Sequence, residues 1–272
     1  GCPDCATADL WVEDNWVRGL PRAVVAGGPI DGRVRDNTVN GGEALLLESA
    51  GSLEVGGNLL IDNELAVAAS GGGLLVRNNI VVGAQTALRI EGEAPRIVGN
   101  TLTAGALELP DWSGQLEANA LPSLPEGLAV GTNVVCDASC FVDRAARDLY
   151  PAPGGPLAVP VQPPDGGVLT EDFCSKDRAA KPTVGAIEVR DAEPPGPIAE
   201  DHKSNIPCTF PELQNRPDDT AVPFHETGET TPARCGCASG TGRPVWLAVC
   251  IAFVLRTRNR RRLHRPMVWR NA

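Results

Sequence analysis

Val12-Glu-Asp-Asn15-Trp-Val17 is the first of six matches to one template, aliphatic-x-x-Asn-x-aliphatic. The others are Val34-Arg-Asp-Asn37-Thr-Val39, Val55-Gly-Gly-Asn58-Leu-Leu60, Val76-Arg-Asn-Asn79-Ile-Val81, Ile97-Val-Gly-Asn100-Thr-Leu102 and Leu116-Glu-Ala-Asn119-Ala-Leu121. The asparagines stand 22, 21, 21, 21 and 19 residues apart. Nine residues beyond each of the first five is another aliphatic, Val24, Leu46, Val67, Leu88 and Leu109, so three columns repeat together.

A period near 21 residues, with short β-branched runs and glycine between them, marks a solenoid in which each repeat is one coil. A leucine-rich repeat has a similar period. Its Leu-x-x-Leu-x-Leu frame is absent, however, and Gly27-Gly28, Gly41-Gly42 and Gly71-Gly72-Gly73 would break the helices it needs. An all-β chain folded as a parallel β-helix remains, with coils stacked about 4.8 Å apart. Aliphatics three before and two after each asparagine then point inward with it, and the backbone bends at the asparagine. Stacked amides can donate hydrogen bonds from one coil to the next, which satisfies polar groups that are costly to bury. Gly19, Gly41 and Gly83 fall four residues after their asparagines, where a tight corner favours positive φ. Asp62 takes that place in the third coil, and aspartate tolerates the left-handed region better than most residues.

This pattern, over roughly residues 6–135, resembles the right-handed parallel β-helix family of bacterial surface proteins and polysaccharide-active enzymes. The resemblance implies that Asn15, Asn37, Asn58, Asn79, Asn100 and Asn119 form a structural asparagine ladder. It says little about function, because the fold hosts lyases, hydrolases, adhesins and proteins without activity.

The parallel β-helix is expected over residues 1–135, beginning inside a solenoid whose further coils or cap lie upstream. A seventh match, Val130-Gly-Thr-Asn133-Val-Val135, follows Asn119 by only 14 residues and is either a shortened last coil or a capping strand. Residues 136–190 lose the repeat. They resemble the closing segment of many bacterial β-helices, with Gly155 where that segment has serine, which implies an irregular cap over the C-terminal coil end. Residues 191–234, rich in Pro, Asp, Glu and Thr, cannot bury a core and read as a disordered stalk. His202 and His225 lie there without a third metal ligand in sight.

Residues 235–272 read as a sorting or membrane-anchor segment. Cys235 and Cys237 precede a spacer, the apolar run from Val245 to Leu255, and then Arg256, Arg258, Arg260, Arg261 and Arg262. Eleven apolar residues form a hydrophobic helix of about 16 Å, short of a hydrocarbon core of about 30 Å. The arginines would hold the C-terminus in the cytoplasm. This order resembles the C-terminal sorting domain of myxobacterial surface proteins, in which a membrane protease reads a cysteine, a short helix and an arginine cluster. The resemblance implies cleavage near Cys235 or Cys237 and an extracellular protein kept at the cell surface or outer membrane.

All 34 acidic residues, with 16 basic ones, precede residue 243, while residues 243–272 carry eight arginines and no acid. Such an acidic body excludes nucleic acid as a partner held by bulk electrostatics. Nine cysteines point to an oxidising compartment. Six of them, Cys2, Cys5, Cys136, Cys140, Cys174 and Cys208, could pair in 15 ways. Cys2/Cys5 and Cys136/Cys140 could instead supply four zinc thiolates, but the two pairs belong to opposite ends of the stack, which favours disulfides.

The repeat locates the polar columns. One before the asparagine stand Asp14, Asp36, Gly57, Asn78, Gly99 and Ala118; two before stand Glu13, Arg35, Gly56, Arg77, Val98 and Glu117. Asp14 and Asp36 would lie about one strand spacing apart, close enough to share a calcium ion or a proton. Arg35 and Arg77 flank the same outward face, with Trp16 and Trp11 as sugar-stacking rings. A Glu13–Arg35 contact could equally be a surface ion pair. No histidine occurs in the solenoid, and neither a nucleophile elbow nor a phosphate loop is present. The expected function is a surface-displayed β-helix that binds polysaccharide or serves as an envelope spacer. The alternative is a polysaccharide lyase or glycoside hydrolase working in the groove with clustered carboxylates.

Overall fold

The computed structural model describes residues 8–190, apart from 29, 50, 165 and 166. It is an all-β parallel solenoid of about five turns with about 21 residues per turn. Three parallel sheets run along it. The first contains Ala8–Glu13, Ile30–Arg35, Ser52–Gly56, Gly73–Arg77, Arg96–Val98 and Gln115–Glu117 in that order. The second contains Trp16–Arg18, Thr38–Asn40, Leu59–Ile61, Ile80–Val82, Thr101–Leu102, Ala120–Leu121 and Val134–Val135. Arg22–Gly28, Glu43–Ser49, Leu65–Ser70, Thr86–Glu91 and Ala106–Glu108 make the third.

Stacked identical positions build the core. Val34, Val55, Val76 and Ile97 of the first sheet are fully buried, as are Leu60, Val81, Leu102 and Leu121 of the second. In the third sheet the register is Val24, Leu45, Val67, Leu88, Leu107. Leu45 and Leu107 thus take the places expected for Leu46 and Leu109. The corner into the third sheet has three residues in the first coil (19–21) and two in the second (41–42). In the fifth coil the register shifts between Thr86 and Leu88 of its neighbour.

The asparagines form one continuous ladder. The Asn37 main-chain N–H and side-chain Nδ2 both donate to Asn58 Oδ1, at 3.0 Å each, and Nδ2 also donates to Val12 O on the coil above. Asn58, Asn79, Asn100 and Asn119 repeat this set. The last acceptor is Asn133, so the seventh match is a shortened final coil that extends only the second sheet. The chain bends one residue earlier than expected. Asp14, Asp36, Gly57, Asn78, Gly99 and Ala118 all have φ between 53° and 64°, which leaves each asparagine free to point inward. The corner four residues after the asparagine is also left-handed, at Gly19, Gly41, Asp62 and Gly83.

Residues 136–190 contain two 3-10 turns, Ala138–Cys140 and Pro156–Ala158, and a short antiparallel pair, Phe141–Asp143 with Asp148–Pro151. Their contacts run along the flank of the solenoid. Phe141, Tyr150, Leu157, Phe173 and Ile187 pack on Leu59, Ile61, Ile80 and Val82, the outward side chains of the second sheet. We refer to this segment as the belt. Cys136 and Cys140 are joined by a disulfide, Cα–Cα 5.6 Å, so neither is available as a zinc thiolate. Cys174 is disulfide-bonded too.

Arg178 pins the belt. Its side chain is fully buried, and its Nε and both terminal nitrogens donate to Glu171 O, Thr183 O, Gly185 O, Ala186 O, Glu188 Oε2 and Asn78 Oδ1. Burial lowers the pKa of this guanidinium, and Glu188, with Asp172, opposes that shift. Asn78 returns a bond from Nδ2 to Glu171 O, 2.7 Å.

Replacing Asn79 with Leu should destabilise the fold by about 3 kcal/mol or more. The Asn58 N–H and Nδ2 would lose their acceptor at a cost of about 1–3 kcal/mol each in a buried setting. Urea unfolding of Asn79→Leu against wild type measures this, and an unchanged midpoint would mean that the ladder is dispensable.

Candidate functional site

The outer face of the first sheet is formed by the residues that alternate with buried Val12, Val34, Val55, Val76 and Ile97. Register gives it two columns: Trp11, Arg33, Glu54, Leu75, Arg96 and Gln115, and beside them Glu13, Arg35, Gly56, Arg77, Val98 and Glu117.

Arg35 and Arg77 meet on one carboxylate. Arg77 donates to Glu54 Oε1 through Nε at 2.8 Å, and its Nη2 lies 2.8 Å from the same oxygen. Arg35 Nε lies 3.4 Å from that oxygen. Arg35 also reaches toward Glu171 of the belt, Nη2 to Oε2 3.9 Å. Gly56 makes this possible: a Cβ at that position would stand 2.9 Å from Glu54 Oε1 and 3.6 Å from Arg77 Cγ. The missing side chain is the space into which the carboxylate folds. Arg77 and Arg35 are 13% and 21% exposed and Glu54 is 23% exposed, so the cluster is partly shielded from water.

Above this cluster, Arg33 pairs with Glu13, so the expected Glu13–Arg35 contact is replaced by one with the neighbouring column. The Arg33 guanidinium lies 4.1 Å from the centre of the Trp11 ring, and Trp11 remains 61% exposed. Trp16 is placed elsewhere. It belongs to the second sheet, opposite Thr38, and therefore lies around the corner from the arginines it was grouped with.

Asp14 and Asp36 sit at the corner between the first and second sheets, in the left-handed conformation, φ 58° and 59°. Backbone geometry accounts for five of the six residues in this column, since Gly, Asn and Asp tolerate that region best; Ala118, φ 53°, is the exception. Among the described residues, no group of three or more His, Cys, Asp or Glu is placed to hold a metal ion. Lower in the same column the belt takes over. Leu169 packs on Val98 and Ala118, and a Cβ on Gly99 would come within 2.6 Å of Leu169 Cδ2.

Glu54 and Glu171 are the site residues that the sequence columns omitted. Glu54 stands in the column next to Arg35, and Glu171 is brought in by the belt. Cys235 and Cys237, with the tail that follows, lie outside the described residues. No protein-family model, curated protein or solved structure matches this chain.

If Asp36 serves the corner, Asp36→Val should be less stable than Asp36→Gly by about 1–2 kcal/mol, the cost of a left-handed β-branched residue, as thermal unfolding of the two variants will measure. Calcium titration of the same proteins separates the roles. A calcium-dependent rise in wild type that is lost in Asp36→Gly would make the carboxylate a ligand as well.

Proposed function

We propose that the chain is a cell-surface-displayed right-handed parallel β-helix that binds carbohydrate on the outer face of its first sheet, or holds that face out as an envelope spacer, without catalysing a reaction. The observation that carries this reading is the use already made of the polar residues there. Glu13 and Glu54 are paired with guanidiniums, and Asp14 and Asp36 occupy turn positions. What such a face offers is a fixed array of donors and acceptors beside an exposed indole, the combination by which sugars are held. Display at the surface is supported by the Cys136–Cys140 bridge, which fits an oxidising compartment, and by the order of the tail sequence.

One observation favours the second reading, a polysaccharide lyase or glycoside hydrolase. Arg35 lies between Glu54 and Glu171, so two carboxylates from different parts of the chain approach one cation. Paired carboxylates are what glycoside hydrolysis requires.

A screen of the protein against neutral and uronate polysaccharides, with and without calcium, separates the two. Retention without release of reducing ends or unsaturated products is the expected result; product formation that Glu54→Gln abolishes would establish an enzyme. Surface display has its own test. The mature protein should lack the residues after about Cys237 and carry a modification at Cys235 or Cys237. Recovery of peptides from Arg256 to Ala272 by mass spectrometry of native surface protein would show that the tail is a retained anchor.

A further inference from the structure

We infer that the polysaccharide held on this face is uncharged. The inference rests on the binding reading above and narrows it to one chemical class of ligand.

The argument is one of charge balance in a partly shielded cluster. Two guanidiniums, Arg35 and Arg77, face two carboxylates, Glu54 and Glu171, and the shortest contacts all converge on Glu54 Oε1. Above them Arg33 is occupied by Glu13 and by the Trp11 ring. A uronate carboxylate brought to Arg35 or Arg77 would have to displace Glu54 or sit beside it, and like charges at that distance repel. Displacement would break the contacts of Arg77 Nε and Nη2 with Glu54 Oε1, 2.8 Å each, in a partly shielded setting.

A sugar hydroxyl meets no such conflict. It donates to a carboxylate and accepts from a guanidinium at once, so a neutralised Arg–Glu pair matches both of its capacities. Trp11 lies in the same column as Glu54, two rungs away, roughly 10 Å along the axis. A glycan chain lying along the axis therefore meets an indole and then the polar cluster. The acidic balance of the residues before 243 acts in the same direction, since it lowers the local concentration of polyanions.

The test uses the full chain with dextran, xylan and polygalacturonate as probes, measured by affinity electrophoresis at low and high salt. Wild type should be retarded by at least one neutral polymer and not by polygalacturonate. Glu54→Gln leaves Arg35 and Arg77 without their shared carboxylate. It should lose neutral-glycan affinity by at least about tenfold, the scale of one hydrogen bond to a charged group. The same variant should gain salt-sensitive retention by polygalacturonate. Gly56→Ala displaces the carboxylate without deleting its charge, so it should weaken neutral binding and gain no polygalacturonate binding. Tighter binding of polygalacturonate than of neutral polymers by wild type would overturn the inference while leaving the binding reading intact. Unchanged retention of Glu54→Gln in every gel would overturn it as well. No retention of wild type by any probe would overturn the binding reading itself.

Discussion

The asparagine ladder is the constraint to which the rest of the solenoid is fitted. Each Oδ1 from Asn37 to Asn133 accepts two donors from the coil above, and the Nδ2 groups from Asn37 downward also reach a carbonyl of that preceding coil. A buried amide that loses one partner strands several others, so the ladder cannot shift by one rung at acceptable cost. Variation in coil length is pushed elsewhere. The difference between 22, 21 and 19 residues appears on either side of the third sheet, in the corner before it and the turn after it, and in the register shift at Ala87, while the asparagines stay aligned.

The second structural demand is set by the middle of the second sheet, where Leu59–Ile61 and Ile80–Val82 are apolar on both faces. Leu60 and Val81 point into the core, while Leu59, Ile61, Ile80 and Val82 point away from it and are nevertheless buried. A solenoid sheet with one wet face would alternate; this one needs a cover, and the belt supplies it. The same need explains the turn column. Where the belt crosses it, the column holds Asn78, Gly99 and Ala118, which either bond to the belt or leave room for it.

How much of this was legible in the sequence follows from the range of the interactions. The coil period, the inward columns and the ladder are repeated contacts between residues 19 to 22 apart, and repetition makes them visible. The belt is not repeated. The runs Leu59-Leu60-Ile61 and Ile80-Val81-Val82 did carry the signal of two-sided burial, yet they do not say which segment provides the cover. Arg35 and Arg77 were found because they share a column, whereas Glu54 was missed because its carboxylate crosses from the adjacent column through the gap at Gly56. Trp16 is not on the arginine face, because the corner at Asp14 turns it onto another sheet.

The Arg178 contacts have a consequence for how the protein comes apart. Coils that touch only their neighbours can fray from an end one at a time, as in other quasi-one-dimensional proteins. Here Arg178 joins the belt to Asn78, a residue 100 positions earlier, and Ala186 N–H is bonded to Thr101 Oγ1 across 85 positions. A coil in the middle of the stack is thus tied to residues 178–186 of the belt, and progressive fraying from that end must first break a buried guanidinium hub. The coils of Asn78 and Thr101 are thereby coupled to the belt. Its assembly in turn waits on contacts of high sequence separation, so the final docking step should be slow compared with the winding of the coils.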